Sequence, residues 1–280
     1  MKEKLQFRTG AEGFALVTGQ PLRPRKPHYH DELEVNLVLA GRASYLFGTR
    51  RVPLPAGSMI WLFPRQEHVL IDCSHDFSMW VVVFTTALVN RRAGEGERQI
   101  LGSRDPGDIF CRPIDARRAD LLDQVYASAT GEDRDLESLN AALEYALVAS
   151  WDAYQFASEP PPPTDVHPAV AKAARLLAEA DEPMSLEKLA KKAGLSAPRL
   201  SRLFKQQTGT SLTAFRQRKC LERFLRLYRR GARYTLIEAA LQAGFGSYPQ
   251  FHRVFCRVMA MNPAAYRRKM RSAPLQFASL

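Results

Sequence analysis

The chain has 280 residues, 46% of them hydrophobic, with 40 Lys and Arg against 29 Asp and Glu for a net charge of +11. That length accommodates two domains plus a helical element, but no run approaches the roughly 20 apolar residues of a membrane span, and residues 1–6 carry no apolar signal-peptide core. The charge is uneven: 165–280 hold 22 cations against 7 anions, a net +15, which leaves −4 for 1–164. A basic footprint confined to one part of a chain suits a polyanionic partner such as nucleic acid.

Residues 1–95 alternate short apolar runs with turn signals. Val35–Leu39, Ala43–Phe47, Ser58–Phe63, His68–Ile71 and Phe77–Phe84 are separated by Gly41, Gly48, Pro53 to Gly57, and Pro64. This rhythm predicts a compact antiparallel barrel or sandwich. His28 and His30 lie two apart, so on a strand they share one face. With two more donors they could converge on a metal ion. The aromatic residues Tyr45, Trp61, Phe63 and Trp80 read either as the lining of a small-molecule effector pocket or as plain core.

Residues 116–157 read as helical. Leu121, Leu122 and Val125 form one apolar stripe. After Gly131, Leu136, Leu139, Leu143, Leu147, Trp151 and Tyr154 form a second at a spacing near 3.5. Such a pair either covers the barrel or pairs two subunits. Glu159 to Thr164 then carries four prolines, an extended spacer that marks the clearest domain boundary. The expected divisions are a barrel at 1–95, a helical segment at 96–158, a linker at 159–166 and a helical domain at 167–280. The four cysteines, Cys73, Cys111, Cys220 and Cys256, lack paired metal-binding spacing. Reduced thiols and a cytoplasmic setting are expected.

One pattern occurs twice in the last part. Ala190, Gly194, Leu195, Ser196 and then Leu200, Arg202, Leu203, Phe204 are echoed by Ala240, Gly244, Phe245 and then Phe251, Arg253, Val254, Phe255. Each copy reads as helix, tight turn, helix: a small residue where the helices cross, a glycine that tolerates positive φ, and an apolar stripe at i, i+3, i+4. Ser196 is expected to cap its helix through the side-chain oxygen. Arg202 and Arg253 fall just off the stripe, where a guanidinium can fork onto guanine or bind a phosphate. Between the copies, Phe215 to Arg230 reads as one long helix. Leu221, Phe224, Leu225 and Tyr228 are expected on its core side, and Arg216, Arg218, Lys219, Arg223, Arg226, Arg229 and Arg230 on the other.

These motifs resemble two known patterns. Ser185 to Ser196, Leu200 to Lys205, Thr208 to Ser211, Ala240 to Phe245, and Phe251 through Asn262, Pro263 and Tyr266 are similar to the DNA-binding domain of the AraC/XylS family of bacterial transcription regulators. The resemblance implies an α+β two-domain protein that binds double-stranded DNA with two recognition helices in successive major-groove segments. It implies a DNA-contacting set of Ser196, Arg199, Ser201, Arg202, Lys205, Ser247, Gln250, His252 and Arg253. It also implies a small-molecule effector, dimerisation through the helices after the barrel, and more often activation, with RNA polymerase as a partner, than repression. This sequence departs from the family at Pro198 and Pro249, early in the recognition helices, where base-contacting side chains are common. It departs again at Ala260 and Asn262, where glycine and threonine are usual.

His28-Tyr-His30, Glu34 and Gly41 resemble the first motif of the cupin barrel, and Gly57 to Pro64 with His68 the second. That resemblance implies a divalent metal held by His28, His30, Glu34 and His68, although a glycine of the second motif is missing. A regulator that senses a small molecule or a metal is the leading expectation. A metal-dependent cupin enzyme carrying a DNA-binding domain is the alternative.

Overall fold

The computed structural model describes residues 1–19, 27–94, 96–131, 134–159, 163–180, 182–229 and 234–272. The chain divides into two compact units, which meet in sequence at Asp165 and Val166.

The first unit contains β1 (Gly13–Gly19), β2 (Leu33–Ala40), β3 (Arg42–Phe47), β4 (Arg50–Pro55), β5 (Ser58–Leu62), β6 (Val69–Cys73), β7 (Ser78–Phe84), β8 (Phe110–Pro113) and β9 (Thr164–Asp165). Its helices are α1 (Thr86–Ala93), α2 (Ala116–Ser128) and α3 (Leu136–Gln155), with a 3-10 turn over Gly96–Gly102. The strands form two antiparallel sheets, β1-β7-β2-β5-β8 and β6-β3-β4-β9. Among the described residues the two ladders do not close into one cylinder, so the expected barrel is two open sheets. The last residues of the expected linker are also strand: Thr164 and Asp165 pair with Arg51 and Arg50 of β4. Pro160 to Pro162 lie outside the described residues.

Strand parity sorts the side chains. Leu33, Val35 and Leu37 of β2 share a face with Met59 and Trp61 of β5 and with Trp80, Val82 and Phe84 of β7. This face is roofed by the buried stripes of α2 and α3, among them Leu122, Tyr126, Leu139, Leu143, Leu147 and Trp151. Each large apolar side chain removed from water contributes about 1.5–3 kcal/mol, so this interface is the main core of the unit, and the two helices cover the sheet. Asp115 and Asp135 start them as N-caps, accepting from the backbone N–H of Arg118 and Ser138. The opposite parity of β2, Glu34 and Asn36, faces Tyr45 of β3 instead.

The second unit is helical: α4 (Pro168–Glu179), α5 (Leu186–Ala193), α6 (Ala197–Thr208), α7 (Leu212–Arg229), α8 (Leu236–Gln242), α9 (Tyr248–Met259) and α10 (Pro263–Ser272). Helix α7 gives Phe215 to a core with Phe204 and, two turns on, Leu221 and Phe224 to a second core with Phe245, Phe251 and Phe255. Its cations do not all line a solvent face. Lys219 and Arg223 are buried; Lys219 Nζ lies 2.7 Å from the Glu222 carboxylate, and Arg223 Nε donates to the Lys219 carbonyl. Arg216 donates to the Met184 carbonyl at 2.6 Å. A cation is tolerated inside when an acid neutralises it and carbonyls accept its protons, and the expectation of a uniformly cationic outer face is corrected accordingly. Arg230 lies outside the described residues. Among the described residues, no helix is long and apolar enough to cross a membrane.

Candidate nucleic-acid interface and candidate metal centre

In the first helix-turn-helix, Ser185 caps α5 by accepting from Lys188 N. The helix stops at Gly194, which takes a left-handed conformation with φ of 79°. Leu195 N donates to the Ala190 carbonyl and Gly194 N to the Lys191 carbonyl, the Schellman pattern that satisfies orphan carbonyls at a helix end. Ala190 is buried at the crossing with α6, and Leu200 and Phe204 face the core. Leu203 is only half-buried. Ser196 stands at the N-cap position of α6, but its side chain makes no capping bond. That corrects the expected cap and leaves its exposed hydroxyl without this role. Pro198 falls in the first helical turn, where its missing N–H costs nothing. Arg199, Arg202 and Lys205 are exposed and, three residues apart, lie along one side of α6. Ser201 is half-buried.

The second unit repeats the turn. Phe245 N donates to the Ala240 carbonyl and Gly244 N to the Leu241 carbonyl. Here Ser247 does cap α9, accepting from Gln250 N, and Gln250 Oε1 accepts from Gly246 N at 2.9 Å. Gln250 is thus held by its own turn. His252 and Arg253 are exposed, and the His252 ring sits 3.7 Å from Cys256 Sγ. Helix α9 ends at Ala260, whose φ of 51° is left-handed, and Asn262 caps the following turn by accepting from Ala265 N.

In the first unit, His28, His30 and His68 each offer a ring nitrogen, all three within 4.8 Å of one another. His28 and His68 are brought together by a two-residue antiparallel bridge, with His28 N on the His68 carbonyl and the reverse. His30 Nδ1 lies 2.9 Å from the Glu32 carbonyl and His68 Nδ1 2.9 Å from that of Gln66. A carbonyl only accepts, so each Nδ1 carries a proton; this leaves His68 Nε2 as a lone-pair nitrogen, while His30 Nε2 faces the Glu34 carboxylate. Glu34 Oε2 lies 3.2 Å from His30 Nε2. The other Glu34 oxygen accepts from Asn36, whose amide also donates to the Tyr45 hydroxyl. Glu3 Oε2 lies 3.0 Å from His28 Nε2. Burial, then the neighbouring His28, pushes the His68 imidazole down to about 3. Burial also works against a charged His30, but the Glu34 carboxylate together with the Glu32 carbonyl and carboxylate outweighs it and raises that pKa above the ordinary value.

This donor set fits a first-row divalent transition metal: imidazoles plus carboxylate, with nitrogens oriented by carbonyls on their far side. Tetrahedral bonds of about 2.1 Å set donors about 3.4 Å apart, so closing three nitrogens that lie within 4.8 Å of one another onto one ion draws them together by about an ångström. Asn36, Gln66 and Glu3 were not among the residues singled out from sequence. Asn36 shares the parity of Glu34 and could have been found that way. Glu3, 25 residues before His28, carries no spacing signal. The four aromatic residues do not line one pocket. Tyr45 belongs to the histidine cluster, with its ring centroid 5.7 Å from that of His68. Trp61, Phe63 and Trp80 lie on the other face of the five-stranded sheet, in the core beneath the helices. Trp80 Nε1 donates to Asp123 there.

Residues 14–144 match the AraC-like ligand binding domain, and residues 189–269 match a helix-turn-helix domain. Together they define the class, a ligand-binding domain joined to a helix-turn-helix domain. The chain carries an AraC-like ligand binding domain and is similar to AraC-type regulators over both parts. It is 39% identical over 88 residues to the Right origin-binding protein of Escherichia coli (strain K12), 31% of this chain and 30% of that protein. Over 163 residues it is 28% identical to the Arabinose operon regulatory protein of the same organism, 56% and 54% of the two chains. The chain thus spans about a third to half of the length of these relatives. A crystal structure of ToxT from Vibrio cholerae O395 aligns over 95% of this chain and 100% of that one, at 12% identity and a TM-score of 0.36.

Proposed function

We propose that the protein is a sequence-specific DNA-binding transcription regulator, with 167–280 as its DNA-binding part and the sheet unit as its sensor. The observation that carries this is the pair of helix-turn-helix units, each presenting an exposed arginine, Arg202 or Arg253, from its second helix. Arg199, Ser201 and Lys205 in α6, and His252 in α9, complete the contact set, with Ser196 and Ser247 at the two helix starts facing phosphates. Gln250 contributes less, because its turn already engages its carbonyl oxygen. Leu121 of α2 and Tyr145 of α3 keep about half of their surface exposed, and these two helices are the proposed place for pairing two copies. Activation through RNA polymerase rests on family resemblance alone. An electrophoretic shift series tests the central reading: specific binding should fall steeply with salt, as cation–phosphate contacts require. The reading fails if the Arg202→Ala, Arg253→Ala double variant binds the specific site like the parent.

A second reading concerns the effector. Three imidazoles and the Glu34 carboxylate favour a divalent transition metal over an organic ligand in that space. His28, His30, Glu34 and His68 are only 4%, 1%, 1% and 1% exposed. Buried ligands hold a metal whether it is sensed or catalytic; the regulator reading rests on the helix-turn-helix domain joined to this unit. When bound, the ion would supply the charge that orders the cluster.

A further inference from the structure

We infer that Glu3 is a further ligand of the same ion, so that metal occupancy fastens the segment at residues 1–4 to the histidine strand. The inference rests on the metal reading above and extends it to a residue outside the four already named. Three observations carry it. First, the segment is laid beside the strand: Lys2 and Tyr29 form a parallel bridge, Glu3 N donates to the Tyr29 carbonyl at 2.8 Å, and Tyr29 N donates to the Met1 carbonyl at 3.1 Å. A Lys2–Asp31 ion pair at 2.5 Å fixes the register. Second, this register delivers the Glu3 carboxylate to the cluster, 3.0 Å from a ring nitrogen of the 95% buried His28 side chain. Third, the charges balance. Three neutral imidazoles and Glu34 would leave a divalent ion with one uncompensated positive charge in a buried site, which is costly. A second carboxylate cancels it.

In this arrangement the ion joins three pieces of chain far apart in sequence: the segment at 1–4, the His28–Glu34 stretch, and the loop bearing His68. Without the ion, a few main-chain bonds, two largely exposed ion pairs and the Glu3–His28 contact hold the segment, and exposed pairs contribute little.

The test uses the full chain, stripped of metal and titrated with Zn(II) by calorimetry. Hydrogen exchange is followed at the amides of residues 2–4 with and without the ion. The parent should bind one equivalent, and those amides should gain protection on binding. Glu3→Gln, which keeps size and removes charge, should still bind one equivalent but at least about tenfold more weakly, with no metal-dependent protection of the segment. His68→Ala should abolish binding. If the parent binds Zn(II) and Glu3→Gln matches it in affinity and in protection, Glu3 is no ligand, while the four-residue metal reading stands. If the parent binds none of Zn(II), Ni(II), Fe(II) or Mn(II), both fall together.

Discussion

The two helix-turn-helix units share a plan and differ in how tightly it is enforced. Both first helices end on the same pair of turn hydrogen bonds, to Ala190 and Lys191 in one unit and to Ala240 and Leu241 in the other. Around that shared turn the surroundings diverge. A Cβ on Gly194 would meet nothing within 4 Å, whereas one on Gly244 would fall 2.5 Å from the rigid ring of Pro183. The first recognition helix starts without a side-chain cap and ends on Gly209 at φ of 77°. The second starts with a serine cap, braced by Gln250, and ends on an alanine forced to positive φ. The second turn is therefore packed and braced, with strain at its far end, while the first is open and relaxed. A recurring sequence pattern defines the backbone path of a motif; its neighbours decide how much freedom each copy keeps.

Substitutions can break or sharpen this contrast. The largest effect is expected at Gly244→Ala, which combines left-handed strain with a clash against a ring that cannot rotate away. It should cost about 3 kcal/mol or more in urea denaturation followed by far-UV circular dichroism. A cost near that of Gly194→Ala would erase the packing difference. Next, Arg202→Ala and Arg253→Ala should each weaken specific DNA binding by about 1–3 kcal/mol at fixed salt. Equal losses on specific and unrelated DNA would show phosphate contacts instead of base reading. Gly194→Ala should cost only the conformational term, about 1–2 kcal/mol. Ala260→Gly should raise stability by up to about 1 kcal/mol through release of positive-φ strain, and a loss would mean that the alanine methyl packs usefully. The smallest pair is Ser247→Ala, at about 1 kcal/mol, against Ser196→Ala, at no more than a few tenths.

Much of this was legible beforehand. The turn glycines, the small residues at the helix crossings and the apolar stripes all obey local rules, because a helix-turn-helix is built from contacts close in sequence. The single extra residue in the second turn follows from counting, and Gly246 fills that place. The sheet unit was harder to read. Apolar runs indicate buried strands but not whether a sheet closes, which depends on pairing at its edges. Trp61 and Trp80 announced burial, yet only the register of β2 against β5 and β7 shows that they face the helices, with Glu34 and Asn36 on the reverse. Lys219 and Arg223 looked like surface cations because helical spacing does not reveal which neighbouring elements cover a side chain, although their partners, the Glu222 carboxylate and the Lys219 carbonyl, lie on the same helix. Glu3 was invisible, since long-range pairing brings it to His28.

The placement of the tryptophans has a practical consequence. All three, Trp61, Trp80 and Trp151, lie in the core between the five-stranded sheet and its helices. The helix-turn-helix unit has none. Indole emission excited at the red edge therefore reports on the sensor alone in the intact chain, without labelling. A Gly244→Ala chain should lose helical dichroism at a denaturant concentration where its emission spectrum has not yet moved, and the gap between the two curves would read out each half of the molecule separately.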